Sequence, residues 1–307
     1  MSKVAVLMST YNGEKHLDEQ IESIFSQEGV EISLWVRDDG STDGTLPKVE
    51  AWMTKKPGRV HLLKGENVGY KRSFLQLLAS VPDGYDYYAF ADQDDIWLAD
   101  KCKAAVALLD RDAHEVKLYT SNLEVVNEAL EHLYTTKIEK KFHISLYGFW
   151  IRGRFAGCTY LFNEALKKKA VVYAGLNLPD AGMPSHDFIV GTLAFLYGTV
   201  IFDNRTFIQH RRLETSVTSG GRGIVNRLQT ETKYIFKRKD IRYTLAKEIL
   251  AHREAGIDPE AESFLNTVAG YKQSLPNKWR LLSSPLFHSG SFIFDAQAKI
   301  KVLLANF

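Results

Sequence analysis

The sequence predicts an α/β fold in which a mostly parallel central sheet is flanked by helices on both faces. Short apolar runs alternate with segments whose apolar residues recur at helical spacing, and several of the runs end in polar turns that contain Gly or Asp. The 307 residues are 45% hydrophobic and 25% charged, a composition that excludes wholesale disorder and allows one large domain or a domain with an appendage.

The first half of the chain repeats a strand and helix unit. Residues 3–9, KVAVLMS, predict a strand, and Leu17, Ile21, Ile24 and Phe25 then follow at the spacing of an amphipathic helix. The same alternation predicts a strand at 31–36 and a helix at 46–55, a third strand and helix within 59–81, and a fourth strand at 85–91.

The second half of the chain predicts fewer parallel units. It contains a helix at 101–110, strand-like runs at 116–126 and 153–163, a loop and helix at 184–198, and a last strand at 199–212. From about Gly220 the composition changes, and residues 222–245 carry seven Lys or Arg against two acidic residues on a segment expected to be helical. We therefore expect a sheet domain over 1–220 and a mainly helical extension over 221–307.

Three polar loops, TYNGE, DDGSTD and DQDD, follow the first, second and fourth strands. Ligands of parallel sheets bind beyond the carboxyl ends of the strands, so these loops predict one shared site. The last loop places Asp92, Asp94 and Asp95 between a buried strand and the apolar pair Ile96 and Trp97. Carboxylates this close disfavour each other's charge, so the cluster favours a site for a divalent cation over a solvated acidic turn.

The other loops supply groups suited to a nucleotide. Thr10 offers a hydrogen bond and Tyr11 a flat surface for a base, and one of Asp38 and Asp39 is expected to face the pocket. Capping of the following helix is the alternative for that loop.

Two helix starts carry further charged groups. Lys71 and Arg72 begin a helix where phosphate would be favoured, although a charged helix surface explains them equally well. His186 and Asp187 precede a buried helix, where Asp187 is either a cap or a general base.

Several function classes lose their usual support. The chain has no GxGxxG after a strand, no GxxxxGK[ST], no GxSxG and no HExxH. Cys102 and Cys158 are far apart without a CxxC, which argues against a zinc site or a disulfide and favours a reducing cytoplasm. The N-terminus predicts no export signal, and a net charge of +2 gives no support to a nucleic-acid partner.

The motifs STYNGE, RDDGSTDGT, NVGYKRSF, FADQDDIWL and SHDF together resemble the glycosyltransferase family 2 enzymes of GT-A fold, and most of all the bacterial rhamnosyltransferases of cell-surface polysaccharide synthesis. The resemblance covers about residues 3–220. It implies that the nucleotide sugar is bound by Thr10, Tyr11, Glu14, Asp39, Lys71 and Asp92, that Mg or Mn is held by Asp94 with support from Asp95, and that Asp187 is the catalytic base.

The chain departs from the family pattern at one segment. Relatives commonly carry a His and an Asn where HRRLETSVTSG has Leu213 and Ser216, which leaves the third metal ligand open. His210, Arg211 or water is the expected substitute, and His186 is a further supporting candidate. The QxxRW motif of processive members is absent, which predicts the addition of one sugar or a few.

The resemblance implies an inverting transferase that moves rhamnose from dTDP-rhamnose to a saccharide or lipid-linked saccharide. The same chemistry with a UDP-hexose donor and a catalytically silent nucleotide-sugar-binding module are the alternatives. The basic segment at 222–245 is either a solvated helix face or a contact with the anionic inner leaflet of the membrane.

Overall fold

The computed structural model describes residues 1–140, 143–153, 155–212 and 239–307. Within these residues one sheet contains nine strands. They are β1 (Ser2–Thr10), β2 (Val30–Asp38), β3 (Val60–Lys64), β4 (Tyr87–Ala91), β5 (Ile96–Trp97), β6 (Lys117–Val126), β7 (His132–Thr135), β8 (Leu161–Asn163) and β9 (Thr199–Arg211).

Helices cover both faces of this sheet and form the C-terminal part of the chain. They are α1 (Leu17–Phe25), α2 (Thr45–Lys55), α3 (Tyr70–Ser80), α4 (Lys101–Leu109), α5 (Leu146–Arg152), α6 (Glu164–Val171), α7 (His186–Tyr197), α8 (Ile241–Ala251), α9 (Pro259–Gly270), α10 (Leu275–Ser283) and α11 (Phe292–Leu303). The α/β class, the helical C-terminal part and the order of elements in the first half are as the sequence predicts.

Strand β1 shows why the sheet has two cores. Val4, Val6 and Met8 point into one apolar cluster, and Ala5 and Leu7 point into the other. All five side chains are fully buried, because successive residues of a strand face opposite sides and helices cover both. A continuous apolar run is therefore required at this position, whereas an alternating one would leave polar side chains in a core.

The strand order is β3-β2-β1-β4-β8-β6-β9-β5, with β7 added on β6. The strands from β3 to β4 are parallel, as are β6 and β9, whereas β8 runs antiparallel to both of its neighbours. Strand β5 pairs antiparallel with β9, so that Ile96 lies opposite Gln209. This pairing carries the acidic loop that precedes β5 to the end of β9.

The strand predicted at 153–163 is shorter in the structure. Strand β8 covers Leu161–Asn163 alone, and residues Gly157–Thr159 form a 3-10 turn in which Thr159 Oγ1 donates to the carbonyl of Ala156 at 2.7 Å. The chain turns here because it passes under the start of α7. A Cβ atom at Gly157 would lie 2.8 Å from Nε2 of His186.

The C-terminal helices pack on one of the two cores of the sheet. Leu245, Phe264 and Phe294 belong to the same buried cluster as Leu7 of β1. The boundary expected near 220 and most of the basic segment at 222–245 lie outside the described residues. In the described part of that segment, Arg242 is buried and donates to the carbonyls of Trp150 and Ile151. Among the described residues, none of the helices has the length and apolar character needed to cross a membrane.

Candidate active site

The acidic loop between β4 and β5 meets the end of β9. Asp95 is fully buried, and its Oδ1 lies 2.9 Å from Nδ1 of His210 and 3.2 Å from the backbone N–H of Arg211, which donates to it. Because of Asp95, the pKa of His210 is raised to about 9, so the imidazole is a cation at neutral pH. The short strand β5 thus brings two sequence-predicted residues together across 115 positions of chain, from 95 to 210.

Asp92 and Asp94 lie in the same loop and bear on each other's charge. Burial and the charge of Asp95 raise the pKa of Asp92 to about 7 and that of Asp94 to about 6. Asp187 comes near this loop through the turn before β8, since a Cβ atom at Gly157 would lie 3.1 Å from the Cβ of Asp187 and the next residue, Cys158, reaches Asp92 and Asp95. The negative charges of this loop are therefore not fully offset by the cationic side chains near it.

One group of four side chains has the spacing of a metal site. Single ligand atoms of Asp92, Asp95, Cys158 and His210 all lie within 4.8 Å of one another. Burial, together with the charges of Asp95 and Asp92, raises the pKa of the Cys158 thiol well above its ordinary range. Asp94, the metal ligand that the resemblance implies, is not a member of this group but adjoins it in sequence.

The carboxylates fit a hard divalent cation. Oδ2 of Asp95 is buried and accepts no hydrogen bond from the part of the chain that the structure describes. An unpaired buried carboxylate oxygen beside two carboxyls with raised pKa values is the donor set that Mg²⁺ or Mn²⁺ prefers. Asp94 and Asp95 are the residues of this chain that would hold such an ion, and Asp92 lies beside them in the same loop.

Asp187 lies in the first turn of α7. Its Oδ1 accepts hydrogen bonds from the backbone N–H of Phe188, at 2.8 Å, and from the hydroxyl of Ser185, which fix the orientation of the carboxylate. The preceding His186 is buried between Phe74, which stacks on it at 4.0 Å, and Phe90. Burial lowers the pKa of His186 to about 4, so this side chain is neutral at pH 7.

The first two loops are joined by hydrogen bonds. Thr10 is fully buried and donates to Oδ1 of Asp38 at 3.0 Å, whereas Tyr11 is about half exposed. Oε2 of Glu14 accepts from the N–H of Gly44 at 2.9 Å. Thr10 and Glu14 therefore shape the loops, and Tyr11 presents an aromatic surface to solvent.

Asp39 and Lys71 each fix a loop by hydrogen bonds, Asp39 the loop between β3 and α3 and Lys71 the loop before α7. Asp39 is buried against Arg37 and accepts from the N–H groups of Val68 and Gly69, at 3.0 and 2.9 Å. Gly69, with φ +80°, takes the left-handed conformation that this approach requires and that a side chain would disfavour. Lys71 Nζ donates to the carbonyl of Met183 at 2.7 Å and therefore ties α3 to the loop before α7.

The remaining supporting candidate, Arg211, uses its two ends differently. Its backbone N–H binds Asp95, while its side chain pairs with Glu19 of α1 and donates to the carbonyl of Glu128 at 2.8 Å. Its guanidinium is thereby held at α1 rather than at the carboxylates. Leu213 and Ser216, which carry the departure from the family pattern, lie outside the described residues.

Comparison with known proteins identifies the family. The sequence model of glycosyl transferase family 2 matches residues 5–168, more than half of the chain. This chain belongs to glycosyl transferase family 2. The family that the motifs predict is therefore confirmed. The matched region includes all three polar loops, TYNGE, DDGSTD and DQDD.

The family 2 chain has relatives among characterised and uncharacterised proteins. It is 32% identical over 160 residues to the dTDP-rhamnosyl transferase RfbG of Shigella flexneri, covering 51% of this chain and 54% of RfbG. It is 27% identical over 124 residues to WfgD of Escherichia coli, named as a UDP-Glc:alpha-D-GlcNAc-diphosphoundecaprenol beta-1,3-glucosyltransferase, over 40% of this chain and 47% of WfgD. The chain thus spans about half the length of these curated relatives.

Solved structures share the fold of the family 2 chain. TarS of Staphylococcus aureus, residues 1–349 in complex with UDP-GlcNAc, matches with a TM-score of 0.60 at 18% identity, over 93% of this chain and 78% of that one. The mannosyltransferase PcManGT of Pyrobaculum calidifontis, in complex with GDP-Man and Mn²⁺, matches with a TM-score of 0.53 at 16% identity, over 99% of this chain and 87% of that one. The predicted GT-A architecture is confirmed by these likenesses.

Two residues of the family 2 site were not predicted from the sequence. Gln93 binds the backbone of Tyr11 on both sides, accepting from its N–H at 2.9 Å and donating to its carbonyl at 3.2 Å. Cys158 reaches the acidic cluster from the 3-10 turn before β8. The position of Gln93 inside DQDD is the only local signal for its role, and Cys158 carries none.

Proposed function

We propose that this chain is an inverting, divalent-metal-dependent glycosyltransferase that transfers rhamnose from dTDP-rhamnose to a saccharide acceptor of a cell-surface polysaccharide. The proposal is supported most strongly by the turn at Gly157 and Cys158, which approaches Asp187 through Gly157 and the carboxylates of Asp92 and Asp95 through Cys158. A single displacement at a sugar carbon needs a base for the acceptor hydroxyl and a site that stabilises the negative charge of the leaving diphosphate, both at the same edge of the sheet. The family membership supports the reaction class, and the name of RfbG supports the donor.

In this proposal the loops that follow β1, β2 and β3 bind the nucleotide. Tyr11 offers its exposed ring to the base, and Glu14 and Thr10 hold the loops that surround it. Asp39 accepts from the N–H groups at the start of α3 and, in binding a base N–H, would exchange part of these bonds for one to the nucleotide. Lys71 lies in the first turn of α3, at the end of the helix that we assign to the diphosphate.

We assign the proton transfer to Asp187. As the acceptor oxygen forms its bond to the anomeric carbon, the bond from that carbon to the diphosphate oxygen breaks, and the electron pair leaves with the diphosphate. The acceptor hydroxyl proton passes to Asp187, whose Oδ1 is held by Ser185 and Phe188, so that Oδ2 is the oxygen we assign to the acceptor. A single displacement of this kind inverts the anomeric centre.

Asp92 and Asp94 are the carboxylates that we assign to binding of the donor. We assign Asp94 and Asp95 to the cation and Asp92 to the ribose, with His210 fixing Asp95 from behind. When bound, the dication would compensate the negative charge of the leaving diphosphate. The raised pKa values of Asp92 and Asp94 support this assignment, since a bound cation would favour their ionised forms.

A UDP-hexose donor is the second candidate. It is supported by the name of WfgD, which acts with UDP-Glc, and by the UDP-GlcNAc bound in the TarS structure. A lipid-linked acceptor at the cytoplasmic side of the membrane fits either donor.

Thermal unfolding with a panel of nucleotide sugars tests the donor. We expect dTDP-rhamnose with Mn²⁺ to raise the melting temperature more than UDP-glucose or UDP-GlcNAc with Mn²⁺ does, and the shift to shrink when EDTA replaces the metal. Release of nucleotide diphosphate in the presence of acceptor distinguishes an enzyme from a silent binding module. Stabilisation by UDP-sugars alone would overturn the proposed donor, and binding of every donor without nucleotide release would overturn the proposed activity.

A further inference from the structure

Large apolar side chains are concentrated on the surface of the two last helices. Half of those exposed among the described residues lie within residues 275–304. On α10 they are Leu275 and Trp279, one turn apart, with exposed fractions of 72% and 68%. On α11 they are Phe292, Ile293, Ile300 and Leu303, and Leu304 follows directly at the end of that helix. Single exposed apolar residues are ordinary on proteins, but a set on adjacent helices marks a contact surface.

The two helices adjoin at their exposed ends. Nζ of Lys278, next to Trp279, donates to the carbonyl of Leu303 at 2.9 Å. Along α11, residues 293, 300 and 304 recur at intervals of seven and four, which places them on one face. The apolar residues therefore form two adjoining stripes on the surface, called here the C-terminal surface. It is defined by Leu275 and Trp279 of α10 and by Phe292, Ile293, Ile300, Leu303 and Leu304 in and directly after α11.

The charge of this region has one sign at the surface. Residues 272–307 carry five Lys or Arg and one acidic residue, Asp295. Asp295 is buried, and its Oδ1 accepts from the N–H and hydroxyl of Ser289 at 2.7 and 2.6 Å. Arg280 and Lys299 are exposed on the same two helices as the apolar stripes. Two acidic side chains beside this region have basic partners, since Glu262 of α9 pairs with Arg253 and Asp240 pairs with Lys272.

We infer that the C-terminal surface docks this enzyme on a membrane of anionic phospholipid. Exposed Trp, Phe and Leu flanked by Lys and Arg match an interface that is apolar below and negatively charged above. The lipid surface accepts both the apolar side chains and the positive charge.

The surface is connected to the proposed acceptor side of the site. Arg152, the last residue of α5, lies over the ring of Phe294 at 5.0 Å and donates to Gln297 of α11 at 3.2 Å. Five residues later Gly157 passes beneath α7, where a Cβ atom would lie 3.1 Å from the Cβ of Asp187. A membrane held by α11 would therefore be linked through α5 to the segment that faces the base.

Vesicle binding of the full chain, without donor, tests the inference. We expect the protein to sediment with vesicles of phosphatidylglycerol and phosphatidylcholine but not with phosphatidylcholine alone. Trp279→Ser and Phe292→Ser should each weaken binding about tenfold, since each removes a large ring from the interface. The double change Arg280→Glu and Lys299→Glu should weaken binding to the anionic vesicles and make the remaining binding less sensitive to salt.

Val172→Ser is the matched control, because Val172 is 46% exposed in the segment after α6, away from these helices in sequence. It should bind vesicles as the wild type does. Equal vesicle binding by the wild type and both aromatic variants would overturn the inference, as would a dimer in sedimentation velocity that the same variants convert to monomer. Donor-induced thermal shifts should be unchanged in all these variants, which separates failure of this inference from failure of the proposed transfer.

Discussion

Nδ1 of His210 lies 2.9 Å from Oδ1 of Asp95, a carboxylate with no exposed surface. His210, near the end of β9, thereby places a positive charge next to the acidic loop. The sequence had left the third metal ligand open and offered His210 as one candidate for it. Since Asp95 also accepts the backbone N–H of Arg211, the loop is attached to β9 by both a side chain and the main chain.

Removing this cation should destabilise the fold. His210→Gln is expected to lower the free energy of unfolding by about 2 kcal/mol, because the buried carboxyl of Asp95 loses its partner. Urea unfolding at pH 7.5 measures the change. His132→Gln is the control, since His132 pairs with Glu124 at an exposed site on the neighbouring strand pair. Equal stability of the two variants would contradict the pairing of His210 with Asp95.

The proposed base can be removed without removing the donor site. Asp187→Asn keeps the size of the side chain and its hydrogen bond from Phe188, but it cannot take the acceptor proton. We expect kcat to fall by roughly 10²- to 10⁴-fold with donor affinity unchanged. Transfer rates and donor-induced thermal shifts measure the two effects. Asp112→Asn, in the loop after α4, should behave as the wild type, and near-normal transfer by Asp187→Asn would exclude Asp187 as the base.

Gln93 should affect donor binding more than the chemical step. Gln93→Ala removes both hydrogen bonds to the backbone of Tyr11, so the loop that presents the ring is no longer fixed to the acidic loop. We expect KM for the donor to rise about fivefold, the equivalent of one hydrogen bond, with a smaller effect on kcat.

Two further variants define the role of Gln93. Gly13→Ala should have the same effect as Gln93→Ala, because its Cβ would lie 2.3 Å from Oε1 of Gln93 and displace the amide. Gln76→Ala, at an exposed position of α3, should leave KM as it is. A fall in kcat at constant KM in Gln93→Ala would contradict a role in loop positioning.

The buried His186 should make the fold sensitive to acid. Its pKa is lowered from 6.5 to about 4 by burial, so below pH 6.5 the unfolded chain binds a proton that the folded chain refuses. Stability is therefore fully present above pH 6.5 and is lost as the pH falls toward 4. At pH 5.5 this residue should account for a loss of about 1 kcal/mol relative to pH 7.5.

Urea unfolding of variants at both pH values isolates the contribution of His186. His186→Gln, which does not titrate, should lose about 1 kcal/mol less than the wild type between pH 7.5 and 5.5. Thr192→Val, also buried in α7, should change stability equally at both pH values. The same acid sensitivity in His186→Gln and the wild type would show that His186 is not its source.

Much of the site could be predicted because its signals are local. The carboxylates at 92, 94 and 95 follow a strand whose apolar run is read directly from the sequence, and the parallel order of β1, β2 and β4 places their loops at one rim. The helix start at Asp187 is likewise marked by a polar SHD before a long apolar segment. These features depend on residues within a few positions of each other.

Other features depend on residues far apart in the chain, and their local sequence gives no indication of them. The strand expected over 153–163 is cut to three residues because Gly157 passes close to His186, 29 positions away. The contact of Lys71 with the carbonyl of Met183, 112 positions away, is likewise absent from the local sequence. Both outcomes are set by how α7 lies over the sheet.

The sequence by itself determined the α/β class, the family and the acidic loop, because strand periodicity and motif order are properties of neighbouring residues. Only the tertiary structure decided that His210 answers Asp95, that Gln93 joins the acidic loop to Tyr11, and that Arg211 turns its side chain toward Glu19. The physical reason is that charge pairing and hydrogen bonding act over a few ångströms in space, and residues far apart in the chain come within that distance only through the pairing of strands, as β5 and β9 do for Asp95 and His210.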